Sequence, residues 1–244
     1  MSDPAEFANQ SLIDEALFRP VRSGNAFEDT VARLLQTIRL GIVPTGSALP
    51  SERDLALRFS VSRDTVRDAI RELADAGYLV SRRGRYGGTF VSETLPVRAT
   101  DSPVVLSAVE LDDVLELREI LEVGAARSAA RRALTGADRE ALWTRLSESK
   151  AAGPPDYRRL DSRLHLSIAE LTGTPSLVTL VADSRSRLND LLDRIPLLAP
   201  NIVHSNLQHE EIVDAILRGD EQKAADAMAE HLAGSAALLR GFLG

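Results

Sequence analysis

The chain has 244 residues, 44 % of them hydrophobic and 27 % charged, with a formal net charge of −7; that length suits about two domains. It holds no cysteine, which excludes a disulfide framework and any thiolate-bound metal. No stretch approaches the ~18 apolar residues of a membrane span and no basic-then-apolar leader opens the chain, so a cytoplasmic protein with no membrane partner is expected.

In chain order, residues 1–24 lack sustained periodicity and read as a flexible arm, with room for a short helix over Ala5–Phe18. Phe27, Val31, Leu34, Leu35 and Ile38 recur at helical spacing, and Gly41 stops that helix. Pro44, Gly46 and Pro50 punctuate a turn that leaves room for a very short strand at Ser47–Leu49. Ser51 followed by Asp54 is a cap with an acid in the first turn, so a helix runs from there to about Phe59. Ser62, with Thr65 three residues on, caps the next one. Its apolar face is Val66, Ala69, Ile70 and Leu73, while Arg63, Arg67 and Arg71, four apart, line another face. Gly77 ends it, because glycine tolerates the left-handed conformation after a helix. Leu79–Ser81 and Thr89–Val91 are strand-like, joined by a basic, glycine-rich turn that includes Gly84. Residues 93–106, with Pro96 and Pro103, read as a linker.

The remainder is helical. Six segments are expected, at about 107–134, 137–151, 155–172, 175–194, 203–218 and 220–241, parted by turn residues such as Gly153-Pro154-Pro155 and Gly219-Asp220. Low aromatic content (4 %) and abundant Ala and Leu agree with helix over sheet. The fold class is therefore mainly α: three helices with a small β-hairpin over 25–92, then an all-α antiparallel bundle over 107–244, long enough to bury its own core.

Tandem short helices followed by a basic Gly-rich hairpin are the layout of a winged helix-turn-helix. The wording resembles the GntR family of bacterial transcription regulators. The resemblance lies in Pro50-Ser51-Glu52-Arg53-Asp54-Leu55-Ala56, in Val61-Ser62-Arg63 to Thr65-Val66-Arg67, and in Gly84 to Gly88-Thr89-Phe90-Val91. It implies a double-stranded DNA operator as partner. Arg63 and Arg67 are the candidates for base contact and Arg53 for base or phosphate. Ser62, Thr65 and Gly84 position the backbone, and Arg83 reaches from the wing. Arg suits the role because it offers two donors at once to guanine O6 and N7. The charge distribution fits: residues 25–92 hold ten Arg against eight Asp or Glu, a net +2, which leaves −9 for the rest.

The bundle carries its own pattern. Leu115 to Glu122 opens it. Asp161-x-x-x-His165 follows, then His209 before Ile212 and Ile216, and finally Met228-Ala-Glu-His231-Leu232. From about 110 to 235 this resembles the helical FCD effector domain of the FadR-type branch. Many members of that branch bind a divalent metal through one Asp and three His, which fall here on Asp161, His165, His209 and His231. The spacing allows it. Asp161 and His165 lie about 5–6 Å apart at Cβ on one helix face, His209 shares a face with Ile212, Val213 and Ile216, and His231 with Ala224, Ala227 and Met228. Such a set suits Zn²⁺ best, with Ni²⁺ or another first-row ion also accommodated. His204 lies off the motif and reads as surface. Arg118 is either a cation for a carboxylate effector or a salt-bridge partner of Glu122 four residues on. Arg187 and Asn189 are further effector candidates.

The combined expectation is a ligand-responsive DNA-binding regulator. It acts as a homodimer on a pseudo-palindromic operator, with its affinity changed by a small organic acid near the metal. It is not expected to be an enzyme. The rival readings are a metal-dependent hydrolase using Glu122 or Glu170 as base, and an unregulated architectural DNA binder.

Overall fold

The computed structural model describes residues 12–20, 26–82, 84, 87–96 and 108–243. The chain divides into two compact units, Met1–Ala99 and Thr100–Gly244.

The first unit contains α1 (Leu12–Leu17), α2 (Ala26–Arg39), α3 (Glu52–Phe59), α4 (Arg63–Asp75), β1 (Leu79–Arg82) and β2 (Gly88–Val91). The side chain of Ser51 accepts the Asp54 N–H and that of Ser62 accepts the Thr65 N–H, so both expected caps satisfy amides that the first helical turn leaves orphaned. Gly77, at φ 82°, reverses the chain after α4, and the Tyr78 N–H donates back to the Leu73 carbonyl at 2.8 Å. Leu34 and Ile38 of α2, Leu55 and Phe59 of α3, and Val66, Ala69 and Leu73 of α4 close one core with Leu79 and Val91. The hairpin is antiparallel, with Leu79 opposite Val91 and Arg82 opposite Gly88. The short strand expected near Ser47–Leu49 is a single bridge between Ala48 and Phe90.

Within the arm, α1 falls inside the short helix that Ala5–Phe18 leaves room for. Ile13, Ala16, Leu17 and Phe18 are buried. The Phe18 ring stacks on Phe59 at 5.8 Å, and the Arg58 guanidinium lies 5.2 Å from the centroid of the same Phe18 ring. Six helical residues are too few for periodicity to declare itself, but two aromatic rings are enough to anchor them. Residues 1–11 and 21–25, and residues 97–107, lie outside the described residues.

The second unit is six helices: α5 (Ala108–Arg131), α6 (Gly136–Ala151), α7 (Pro154–Leu171), α8 (Pro175–Leu192), α9 (Ala199–Arg218) and α10 (Glu221–Leu243). α5 touches α7, α8, α9 and α10. Its inward residues Ala125, Ala126, Ala129 and Ala130 are small and buried, which lets those helices approach closely. Two boundaries differ from expectation. α9 starts at Ala199 rather than near 203, because Pro200 sits in the first turn, where a missing N–H is harmless. α5 stops at Arg131, and Thr135 with Asp138 forms a capping box that restarts the chain as α6. Among the described residues, no helix is long and apolar enough to cross a membrane.

Candidate metal centre and nucleic-acid interface

Three helices and one turn of sequence spacing bring four side chains together inside the second unit. Asp161 and His165 come from α7, His209 from α9 and His231 from α10. One ligand atom from each lies within 4.8 Å of all the others. His209 Nε2 stands 3.3 Å from His231 Nε2 and 3.3 Å from Asp161 Oδ1, and His165 Nε2 stands 3.8 Å from the same oxygen. His165 Nε2 is buried without a hydrogen-bond partner. One carboxylate oxygen and three imidazole nitrogens facing each other in a buried space form the donor set of a divalent metal site. The residues present therefore fit such an ion.

Outer contacts aim these ligands. His165 Nδ1 lies in close contact with Glu122 Oε2. His231 Nδ1 lies 3.2 Å from Gln208 Oε1. Gln208 Oε1 is an acceptor placed to hold the His231 Nδ1–H outward, and Glu122 Oε2 lies beside His165 Nδ1, so each Nε2 lone pair would face inward, the usual device for setting the tautomer of a metal-binding histidine.

Charge in the cluster is balanced by buried guanidiniums. Arg185 of α8, fully buried, pairs with Asp161 Oδ2. Its Nη1 lies 3.7 Å from Glu122 Oε1. Arg118 of α5 donates from Nε to Glu122 Oε1 at 3.2 Å and from Nη1 to Ser235 Oγ at 2.6 Å. Burial alone would raise the Asp161 carboxyl, but Arg185 and the histidines reverse this and hold it well below the usual carboxylate range. Burial likewise pushes Glu122 up, and His165, Arg118 and Arg185 together bring it below that range. Burial lowers His165, and burial with the neighbouring His209 and His165 lowers His231 further. His165 and His231 are thus kept neutral, the state that ligates metal.

This gives a pH dependence. An unfolded histidine titrates near pH ~6.5. As the pH falls through that value, the unfolded chain binds protons that native His165 and His231 refuse. Stability then drops by up to about 1.4 kcal/mol per pH unit for each ring. Asp161 and Glu122 are ionised in both states above about pH 5 and add no slope there. The chelated protein is expected to melt at progressively lower temperature between about pH 7.5 and 5.5; a flat or rising melting temperature over that window would contradict the buried-neutral assignment.

The remaining effector candidates separate. Asn189 is buried and donates from Nδ2 to Ser162 Oγ at 2.9 Å. Arg187 is exposed and lines a shallow cleft of about 510 Å³ with Val109, Asp113, Asp190 and Leu191, outside the buried cluster. His204 is exposed. Sequence reasoning passed over Arg185, although it falls in phase with the apolar stripe of Val178, Val181, Ala182 and Leu188, and Arg187 does not. Gln208 gave no local signal, since its partner is 23 residues away.

On the first unit, Arg63 is exposed and makes no ion pair with a described residue. The Arg67 guanidinium spans two helices, with Nη2 3.0 Å from Glu52 and Nη1 3.0 Å from Asp64. Arg53, 70 % exposed, lies 3.8 Å from Asp54. Ser62 and Thr65 share a hydroxyl contact at 2.8 Å at the start of α4. Gly84 has φ 109° with nothing within 4 Å of where a Cβ would stand, and its carbonyl accepts the Gly87 N–H at 2.8 Å. Arg83 lies outside the described residues.

Comparison with known proteins agrees with both units. The model of "Bacterial regulatory proteins, gntR family" matches residues 27–91, and that of the FCD domain matches residues 113–234. The chain is 32 % identical over 224 residues to the Escherichia coli (strain K12) protein named "Putative L-lactate dehydrogenase operon regulatory protein", covering 87 % of this chain and 84 % of that one. It is 31 % identical over 206 residues to the Uxu operon transcriptional regulator of the same organism, covering 77 % and 76 %. The solved E. coli McbR/YncC superposes with a TM-score of 0.57 over 90 % of this chain and 99 % of that one; at 18 % identity this speaks to fold alone.

Proposed function

Since the chain belongs to the GntR family of bacterial transcription regulators, with a DNA-binding winged helix-turn-helix and an FCD domain, we propose that it binds a pseudo-palindromic operator as a homodimer whose affinity is set by a small organic acid held beside a divalent metal. The observation that carries the reading is the buried convergence of Asp161, His165, His209 and His231 next to two buried guanidiniums. Those four residues would hold the ion, zinc by the chemistry of the donor set, with nickel or another first-row ion as the alternatives. When bound, it supplies a Lewis-acidic anchor for a carboxylate oxygen. Arg118 and Arg185 supply cationic surroundings for the acid. The name of the Escherichia coli relative at 32 % identity ties that protein to an L-lactate dehydrogenase operon, and L-lactate is a small acid of this kind.

On DNA, Arg63 and Arg67 are assigned to bases and Arg53 to base or phosphate. Ser62, Thr65 and Gly84 set the backbone against phosphate, and Arg83 extends from the wing. A second copy of the chain would cover the exposed Val109, Leu117 and Ile120 of α5 and Leu180 of the adjoining α8. A two-fold dimer places one recognition helix in each half-site. The acid acts by binding one arrangement of the dimer more tightly than the other. The family consists of regulators rather than enzymes, and Glu122, the nearer candidate for a hydrolytic base, is already engaged by His165 and Arg118.

A thermal-shift panel of mono- and dicarboxylates, run on metal-loaded and chelated protein in parallel, tests this. A rise in melting temperature that requires the metal is expected. The same rise after chelation would remove the metal from the effector site.

A further inference from the structure

The linker expected from residue 93 onward does not start free of the first unit. Ser92 is buried, and its N–H donates to the Tyr78 carbonyl at 3.0 Å. The Glu93 side chain lies beside Gly46, 3.7 Å from where a Cβ would stand there, and 4.0 Å from the Arg82 guanidinium. Leu95 packs, partly buried, against the core that α2, α3 and α4 close. Pro96 then lies over Gly77, so near that a Cβ on Gly77 would stand 3.2 Å from its Cγ. Residues 92–96 thus fold back as a strap over the turn between α4 and β1.

The strap is stiff. Proline fixes its own φ and holds the residue before it extended, so Leu95-Pro96 sets a direction for the chain. Its seat is equally well held. Gly77 lies two residues past the end of α4, at φ 82°. Tyr78 is tied by its N–H to the Leu73 carbonyl, by its carbonyl to Ser92 and by its hydroxyl, 3.2 Å from Arg39 Nη2, to the end of α2. The exposed Arg82–Glu93 pair adds little to this. The exit direction is therefore referenced to α4, the helix that carries Arg63 and Arg67. Released, residues 92–96 would let the exit point move by up to ~17 Å at ~3.4 Å per residue, the rise of about five base pairs.

We propose that Leu95 and Pro96, seated on the α4–β1 turn, are specificity determinants for operator half-site spacing. They fix where the chain leaves each DNA-reading unit, and so restrict the separation and angle at which the two units of a dimer meet the duplex. This rests on the reading of the protein as a homodimer on a two-part operator.

The test uses the full-length protein. Selection from a random-sequence duplex library with wild type gives the half-site and its spacing. Duplexes with the spacing changed by one to four base pairs, and one with a single half-site, are then titrated by fluorescence anisotropy at fixed salt. A change of two base pairs shifts the second half-site by about 7 Å and turns it by about 70°. Wild type is expected to lose about tenfold or more in affinity for it. Leu95→Ser combined with Pro96→Gly should cut that loss to within about threefold and weaken binding at the native spacing, with affinity for the single half-site unchanged. Pro96→Gly alone, at an exposed proline, should fall between, and it decides the matter if the combined variant no longer binds the single half-site. A spacing penalty as large in Pro96→Gly as in wild type, or no penalty in wild type, would overturn the strap's role and leave the dimer reading standing. Selection of single half-sites only by wild type would overturn both.

Discussion

Glu122→Ala is expected to lower stability by about 3–5 kcal/mol, the range for removing one partner of a buried ion pair. The reason is position. Glu122 is 1 % exposed, and its two oxygens face His165 of α7 on one side and Arg118 and Arg185 on the other. Without it, Arg185 depends on Asp161 and Ser162, Arg118 depends on Ser235, and His165 Nδ1 loses the carboxylate beside it. The last loss frees the tautomer of a metal-binding ring, so zinc affinity should fall about 10–100-fold as well. Glu122→Gln keeps the volume and an acceptor oxygen but not the charge, and should fall between. Urea midpoints on chelated protein, with the m-value checked for constancy, separate stability from metal binding. A change below about 1 kcal/mol would show that the carboxylate is dispensable to the charge balance.

The second large effect is on DNA. Arg63→Ala is expected to weaken specific operator binding by about 1–3 kcal/mol per half-site, and a dimer loses this twice. Folding should be untouched, because Arg63 is exposed and pairs with no described residue. Arg67→Ala should abolish specific binding too, by a different route. Its guanidinium pairs with Glu52 from α3 and Asp64 from α4, so in the proposed complex it would reach DNA from a set position. Both pairs are solvent-exposed and worth at most about 1 kcal/mol each, so the melting temperature should move little. Gel-shift titration at one fixed salt concentration reads both variants. Unchanged operator affinity in either would remove that residue from the base-reading set.

Much of this was legible in the sequence because local rules decide it. The caps at Ser51 and Ser62, the stop at Gly77 and the hairpin flanking Gly84 depend on residues within a few positions of one another, and the structure places each as its chemistry requires. The inward phase of His209 and His231 followed from the apolar residues three and four positions away on their own helices. What was not legible depends on distant partners. A guanidinium reads as solvent-facing by default, so the burial of Arg185 is not announced by the sequence although it shares the phase of Val178 and Leu188. Glu122 looked like a local partner of Arg118; its second role, toward His165 and Arg185, comes only when α7 and α8 pack against α5. Docking of Phe18 on Phe59 joins residues 41 positions apart in the sequence and has no periodic signature.

The most direct test of metal-anchored regulation is an operator titration by fluorescence anisotropy at fixed salt, with zinc-loaded protein, chelated protein and His209→Ala, each with and without the carboxylate that gives the largest thermal shift. The expected result is a shift in operator affinity of about fivefold or more, in the range of ordinary allosteric coupling, seen only with zinc-loaded wild-type protein. An equal shift in chelated protein or in His209→Ala, or no shift in any of the three, would contradict it.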